Sequence, residues 1–293
     1  MNGVEHMPAR MLESKPMVAK FKEEIRNEVE KLKEKGIEPR LATVMAGWDG
    51  PSKAYALSKE KTCKSLGINF SLNLFEEDAT EEKVTDAIRT LNKDSDVHGI
   101  MLELPLPKNI NAHRVISTIN PKKDVDGITP VNRGLLLMGK LDEALLPVTP
   151  LSCITLIESA DPDIAGKNLA IIGRGETVGL PLTILLIKKH ATVTICHSKT
   201  KNLAGIVKNS DIVVAATGQA GLIKVDMLRE GQIVVDAGIS VLPDGKLVGD
   251  VEAGAADVVS HLSPVPGGVG SLTVMLLLKN LFKAIGLQNG SAA

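Results

Sequence analysis

At 293 residues the chain is long enough for two domains, each with its own core. It is 44% apolar and carries 34 basic against 35 acidic side chains, so its net charge of −1 gives no bulk attraction to nucleic acid or to a membrane surface. One Trp, one Tyr and four Phe are too few for the stacking platforms that hold single-stranded nucleic acid. The longest apolar runs, such as residues 180–187, read as too short to span a bilayer. The opening MNGVEHMPARMLESK has no apolar stretch of the kind a secretory signal needs. Cys63, Cys153 and Cys196 are isolated thiols without metal-ligand spacing, which points to the reducing cytoplasm and to no bound metal.

In chain order, residues 16–35 read as a charged amphipathic helix ended by Gly36, and 40–46 as a strand. A helix over 52–66, ended by Gly67, and a strand over 69–75 follow. Residues 80–92 have the acidic first turn and the spacing of a helix. Residues 99–104 form a short apolar strand that runs into Pro105-Leu106-Pro107, and 112–119 form a short helix. This alternation predicts a parallel sheet covered by helices. Residues 121–134 read as a loop, and the boundary of a first domain, residues 1–148, falls near 147–150.

A helix over 155–159 leads into a second domain, residues 149–270. Its opening is LAIIGRGETVGLPLTILLIKKHATVTICHSKT, residues 169–200. An apolar strand is followed by Gly173, Arg174 and Gly175, with Gly179 beyond, then an apolar helix and a second strand. That is the order of a nucleotide-binding crossover, in which glycines let the backbone approach a pyrophosphate at a helix N-terminus. The spacing G-x-G-x-x-x-G is one residue longer than the standard fingerprint, so the loop alone also fits an ordinary strand-to-helix turn. Further strands are predicted at 212–215, 233–237 and near 258–260. A final apolar helix over 271–285 is long enough to pack back on the first domain, and 286–293 read as a tail.

Several residues carry the chemistry. An NAD site usually has Asp or Glu at the end of the second strand, to bind the ribose 2′-hydroxyl. Here His197-Ser198-Lys199-Thr200 stand there, and Arg174, Ser198 and Lys199 suit a 2′-phosphate, so the cofactor reads as NADP. Tyr55 and Lys59 lie four apart on a predicted helix and share a face, which fits either an acid–base pair or a surface lysine over a tyrosine. Asp124 and Asp126 in PKKDVDG fit either a carboxylate holding a ring through its N–H donors or a polar turn that caps the next segment. SPVPGGVG, residues 263–270, has prolines that stiffen it and glycines that allow close approach to a ligand or to a neighbouring segment.

Together these segments resemble the bifunctional methylenetetrahydrofolate dehydrogenase/methenyltetrahydrofolate cyclohydrolase family. The resemblance runs from about Pro39 to Asn280. It is carried by Tyr55-x-x-x-Lys59-x-Lys61, HGIMLELPLP, PKKDVDG, Gly173-Arg174 with Val178-Gly179-x-Pro181, ATVTICHSKT, GDVE and PVPGGVG. It implies an α/β protein of two domains flanking a cleft, the C-terminal one a Rossmann-type parallel sheet, and a homodimer. It implies NADP-dependent oxidation of 5,10-methylenetetrahydrofolate and hydrolysis of the methenyl product to 10-formyltetrahydrofolate, in the one-carbon metabolism that feeds purine biosynthesis.

Carried over residue by residue, Lys59 is the catalytic lysine, with Tyr55, Glu103 and Asp126 beside it. Tyr55 lines the folate site, Asp126 anchors the pterin, and Pro266, Gly267 and Gly268 also bind substrate. Gly173, Arg174, Gly175, Gly179, His197, Ser198, Thr217 and Ile239 form the cofactor set.

The sequence departs from the family at several positions. Glu103 stands where glutamine is usual, Gly175 for serine, Val148 for cysteine, Ser152 for glycine, Ser271 for proline and Thr129 for histidine. A neutral amide orients Lys59 without favouring its charge, whereas a carboxylate favours the ammonium. An alternative reading is therefore a dehydrogenase with weak cyclohydrolase activity. A further one is a non-catalytic dinucleotide- or folate-binding protein, against which the retained Tyr55, Lys59 and Asp126 argue.

Overall fold

The computed structural model describes residues 8–47 and 50–290, and for residues 50–55 the backbone alone. It divides into two compact units. One comprises Ala19–Val148 and the chain from Val274 onward; the other comprises Thr149–Thr273 together with the N-terminal segment up to Val18. The sequence reading assigned all of residues 1–148 to the first domain. The described residues 8–18 instead go with the second unit, because a short strand β1 (Arg10–Met11) pairs there in parallel with residues 261–262.

Helix α1 (Lys15–Glu34) buries Ile25, Val29 and Leu32 on one face. In the first unit, β2 (Arg40–Ala46), helix α2 (Gly50–Ser65), β3 (Asn69–Phe75), helix α3 (Glu81–Lys93) and β4 (Gly99–Leu102) build a parallel sheet of order β3-β2-β4. Strand β2 is central and almost wholly buried, as an apolar strand covered on both faces should be. Helix α3 starts where Thr80 accepts the N–H of Lys83, with Glu81 and Glu82 in the favourable first turn. Its Val84 and Ile88 meet Val44, Ile100 and Leu102, joined by Val115 and Ile116 of α4 (Ala112–Thr118).

Beyond α4 the chain returns to β4. The Ile100 N–H donates to Lys123 O at 2.6 Å, and Asp124 bridges Ile100 in parallel fashion. This lays the aspartate segment beside the carboxyl end of the sheet. Residues 130–134, read as loop, belong to helix α5 (Pro130–Met138). Thr129 caps it, Pro130 sits in its first turn, and Gly139 closes it in the left-handed conformation at φ 77°.

The second unit begins with α6 (Val148–Ala160), β5 (Asn168–Ile172), α7 (Gly179–Lys188), β6 (Thr192–Cys196), α8 (Leu203–Lys208), β7 (Ile212–Ala215) and β8 (Ile233–Asp236). A two-stranded hairpin, β9 (Ser240–Val241) with β10 (Leu247–Val248), and β11 (His261–Leu262) complete it. The strand predicted near 258–260 thus lies slightly later, at β11. The main sheet has the order β1-β11-β8-β7-β5-β6, with every neighbouring pair parallel. From β5 the chain passes to β6 on one side and then to β7 on the other. That makes the carboxyl ends of β5 and β7 the switch point, where open α/β sheets bind ligands.

Helix α9 (Val269–Gln288) corrects the reading that no apolar run is long enough to cross a bilayer, since by length and composition it is. Over half of its apolar stretch is buried inside the protein. From Val274 onward it belongs to the first unit. There the Asn280 amide donates to Val125 O and Leu146 O, both at 2.8 Å, and Lys283 donates to Leu141 O at 2.7 Å.

Candidate active site

In the first unit the carboxyl end of the sheet gathers Lys59, Glu103 and Asp126. Glu103 directly follows β4, and its N–H donates to Val44 O of β2 at 2.9 Å. Lys59 projects from α2 and is 3% exposed. A lysine buried this far needs a partner to hold its charge. Its ammonium donates to Glu103 Oε1 and lies 3.6 Å from Met101 Sδ. The backbone of α2 puts Tyr55 one turn before Lys59 on the same face. The side chain of Tyr55 lies outside the described residues.

The two aspartates of PKKDVDG have different tasks. Asp124 is wholly buried and caps the approach to α5: Oδ1 accepts the Ile128 N–H at 3.1 Å, and Oδ2 accepts the Thr129 N–H and the Asn132 amide, each at 2.8 Å. Asp126 is only partly buried. Burial pushes its carboxyl up to about 7, helped by the like charge of Asp124 and opposed by Lys59. A carboxyl that gains or loses its proton near neutrality, beside a buried ammonium and its half-buried carboxylate partner, has the make-up of an acid–base centre.

The remaining predicted residues lie in the second unit. Gly173 follows β5 at φ 117°, and a Cβ there would lie 2.2 Å from Ala216 O, so the turn after β5 touches the loop after β7. A Cβ on Gly179 would lie 2.0 Å from Gly173 O, which closes the glycine turn onto the first residue of α7. Gly175 faces open space, and Arg174 beside it is exposed. After β6, the His197 N–H donates to Thr200 Oγ1 at 2.8 Å, and His197 Nδ1 accepts the Lys199 N–H at 3.1 Å. With Nδ1 accepting, the neutral ring carries its proton on Nε2, ready to donate. Ser198 and Ile239 are exposed, and Thr217 is partly buried.

These features fit NADP. The switch point offers a tight glycine turn, an open position at Gly175 and a turn after β6 that carries no carboxylate. Pro266, Gly267 and Gly268, expected with the folate residues, also belong to the second unit. There Gly267 O accepts the Ser14 hydroxyl at 2.6 Å and the Ser14 N–H at 2.9 Å. Sequence reasoning missed Ser14, and it assigned no role to Asp236 or to Asp250 of the GDVE motif.

A family model described as tetrahydrofolate dehydrogenase/cyclohydrolase, catalytic domain, matches residues 12–126. The NAD(P)-binding domain model of the same family matches residues 147–289. A protein of Desulfitobacterium hafniense, bifunctional protein FolD 2, is 50% identical over 96% of this chain and 98% of its own. The chain belongs to the tetrahydrofolate dehydrogenase/cyclohydrolase family. Among solved structures of this family, the bifunctional FolD enzyme of Campylobacter jejuni has a TM-score of 0.91 at 40% identity, covering 96% of this chain and 99% of that one. The FolD of Trypanosoma brucei, complexed with NADP cofactor and an inhibitor, has a TM-score of 0.90 at 33% identity, covering 97% and 99%. The relatives are bifunctional in name, so the reading of a dehydrogenase with weak cyclohydrolase activity is not favoured.

Proposed function

We propose that this enzyme oxidises 5,10-methylenetetrahydrofolate and hydrolyses the 5,10-methenyl product to 10-formyltetrahydrofolate, with Lys59, Glu103 and Asp126 as the centre of the chemistry. The observation that carries the proposal is the pairing of buried Lys59 with half-buried Glu103 beside an aspartate that titrates near neutrality. The cofactor is NADP, which when bound takes a hydride from the methylene carbon. Gly173, Arg174, Gly175, Gly179, His197, Ser198, Thr217 and Ile239 would hold it. Arg174, Ser198 and His197 Nε2 supply donors suited to a 2′-phosphate.

Asp126, as carboxylate, accepts the ring N–H groups of the pterin and so fixes the one-carbon unit in place. Tyr55 contributes to the folate site. In the hydrolytic half, water attacks the methenyl carbon, a C–N bond opens and one proton is released. Lys59, held in place by its bond to Glu103, orients that water and as the neutral amine accepts the proton.

The first unit thus serves the folate and the second the dinucleotide. We further propose a homodimer acting in the cytoplasm on small-molecule folates, without nucleic acid or membrane partners. The net charge of −1 and the isolated thiols support this setting. The test is Lys59→Met. Hydrolysis of methenyltetrahydrofolate should fall at least a hundredfold, while NADP still binds by calorimetry. A variant that hydrolyses at the wild-type rate would remove Lys59 from the mechanism.

A further inference from the structure

Two buried aspartates of the second unit have no part in the scheme above. Asp250 is wholly buried in the GDVE segment. Its Oδ2 accepts three donors from the loop after β7: the Thr217 N–H at 2.5 Å, the Thr217 hydroxyl at 2.8 Å and the Gly218 N–H at 3.1 Å. Among the described residues its Oδ1 is buried without a hydrogen-bond partner. A buried carboxylate that concentrates its bonds on one oxygen fixes that loop strongly, because charge-assisted bonds exceed neutral ones in strength.

Asp236, at the end of β8, holds Asp250 in turn. Its Oδ1 accepts the Asp250 N–H and the Gly238 N–H, both at 3.0 Å, and its Oδ2 accepts the Val251 N–H at 2.9 Å. Each carboxylate lies against a glycine of the opposing segment. A Cβ on Gly238 would lie 2.1 Å from Asp250 Cγ, and one on Gly249 would lie 2.0 Å from Asp236 Oδ2. Ser240 Oγ, two residues beyond Gly238, donates to Gly218 O at 3.1 Å. The network therefore joins the turns after β7 and β8, and the loop after β7 packs on Gly173 through Ala216 O. Three of the turns around the switch point depend on it.

We propose that Asp250 is a positioning residue for the dinucleotide site: its carboxylate sets the Thr217–Gly218 backbone against the glycine turn, and Asp236 holds Asp250 in register. This rests on the reading of the switch point as the NADP site. An aspartate that merely stabilised the fold would act on both substrates alike. A positioning residue acts on the dinucleotide selectively.

The experiment measures NADP binding by calorimetry, and the KM for NADP, the KM for methylenetetrahydrofolate and kcat, in wild type and Asp250→Asn. The variant keeps an acceptor oxygen but loses the charge. The KM and Kd for NADP should rise at least tenfold, while the folate KM moves less than twofold and kcat less than threefold. Should Asp250→Asn fail to fold, Gly238→Ala keeps both carboxylates and displaces that of Asp250 with its new Cβ; it should show the same selective loss. Folded variants with NADP affinity equal to wild type, or with both KM values raised together, overturn the proposal. Wild type that binds no NADP overturns the functional reading as well, and so separates the two failures.

Discussion

Asp126→Asn probes stability and binding through one titration. The Asp126 carboxyl is pushed from the ordinary 3.8 up to about 7, chiefly by burial and then by Asp124. A carboxyl whose folded-state pKa lies above its unfolded value binds its extra proton in the folded protein. Its contribution to stability therefore declines as pH rises from about 4 to about 7 and is flat beyond. A gap of that size corresponds to on the order of 4 kcal/mol, and partial solvent access reduces it to about 2–4 kcal/mol. Asparagine carries no such charge. Urea unfolding from pH 4.5 to 8.5 should thus find Asp126→Asn close to wild type at the acid end and about 2–4 kcal/mol more stable at the alkaline end.

The same proton couples to folate. Ring N–H donors bind the carboxylate form, so wild type should release a proton on binding folate near pH 6. Its folate KM should rise about tenfold for each unit below 7, whereas the variant binds weakly at every pH. Parallel stability curves for the two proteins, with no proton released on binding in buffers of different ionisation enthalpy, would refute the reasoning.

Other perturbations separate the parts of the site. Glu103→Gln replaces the charged partner of Lys59 by an amide and should raise cyclohydrolase turnover severalfold with less change in hydride transfer; an unchanged or lower hydrolytic rate removes Glu103 from control of Lys59. Arg174→Ala should raise the KM for NADP at least tenfold and leave that for NAD within about twofold, a loss worth about 1.4 kcal/mol or more; equal losses contradict a 2′-phosphate role. Gly179→Ala drives a Cβ to 2.0 Å from Gly173 O and should abolish NADP binding in a protein whose first unit still folds; normal NADP affinity would show that the turn can shift without consequence.

The elements with strong periodicity were legible in the sequence. The buried strand β2, the capped helix α3 and the strand–glycine turn–helix run from β5 to β6 stand where their patterns put them. Helix α5 was not seen, although Thr129, Pro130 and Gly139 mark both of its ends, because the preceding aspartates and glycine resemble a turn. The short strand β1 and the β9–β10 hairpin have only two residues in each strand, too few for alternation to register.

In the site, the pairing of Lys59 with Glu103 spans 44 residues and that of Asp250 with Thr217 spans 33. Local spacing does not report such contacts. It also gave no means of separating Asp124 from Asp126. The difference lies in the Ile128, Thr129 and Asn132 donors that surround only the former.

One progress curve tests the central claim most directly. Wild-type enzyme is mixed with 5,10-methylenetetrahydrofolate and NADP, and the absorbance of NADPH and of the methenyl product is followed together. NADPH should form from the outset, and the methenyl signal should stay below it and then decay to 10-formyltetrahydrofolate faster than it does without enzyme. No NADPH, or a methenyl signal that matches NADPH and decays only at the uncatalysed rate, would contradict an enzyme that performs both reactions.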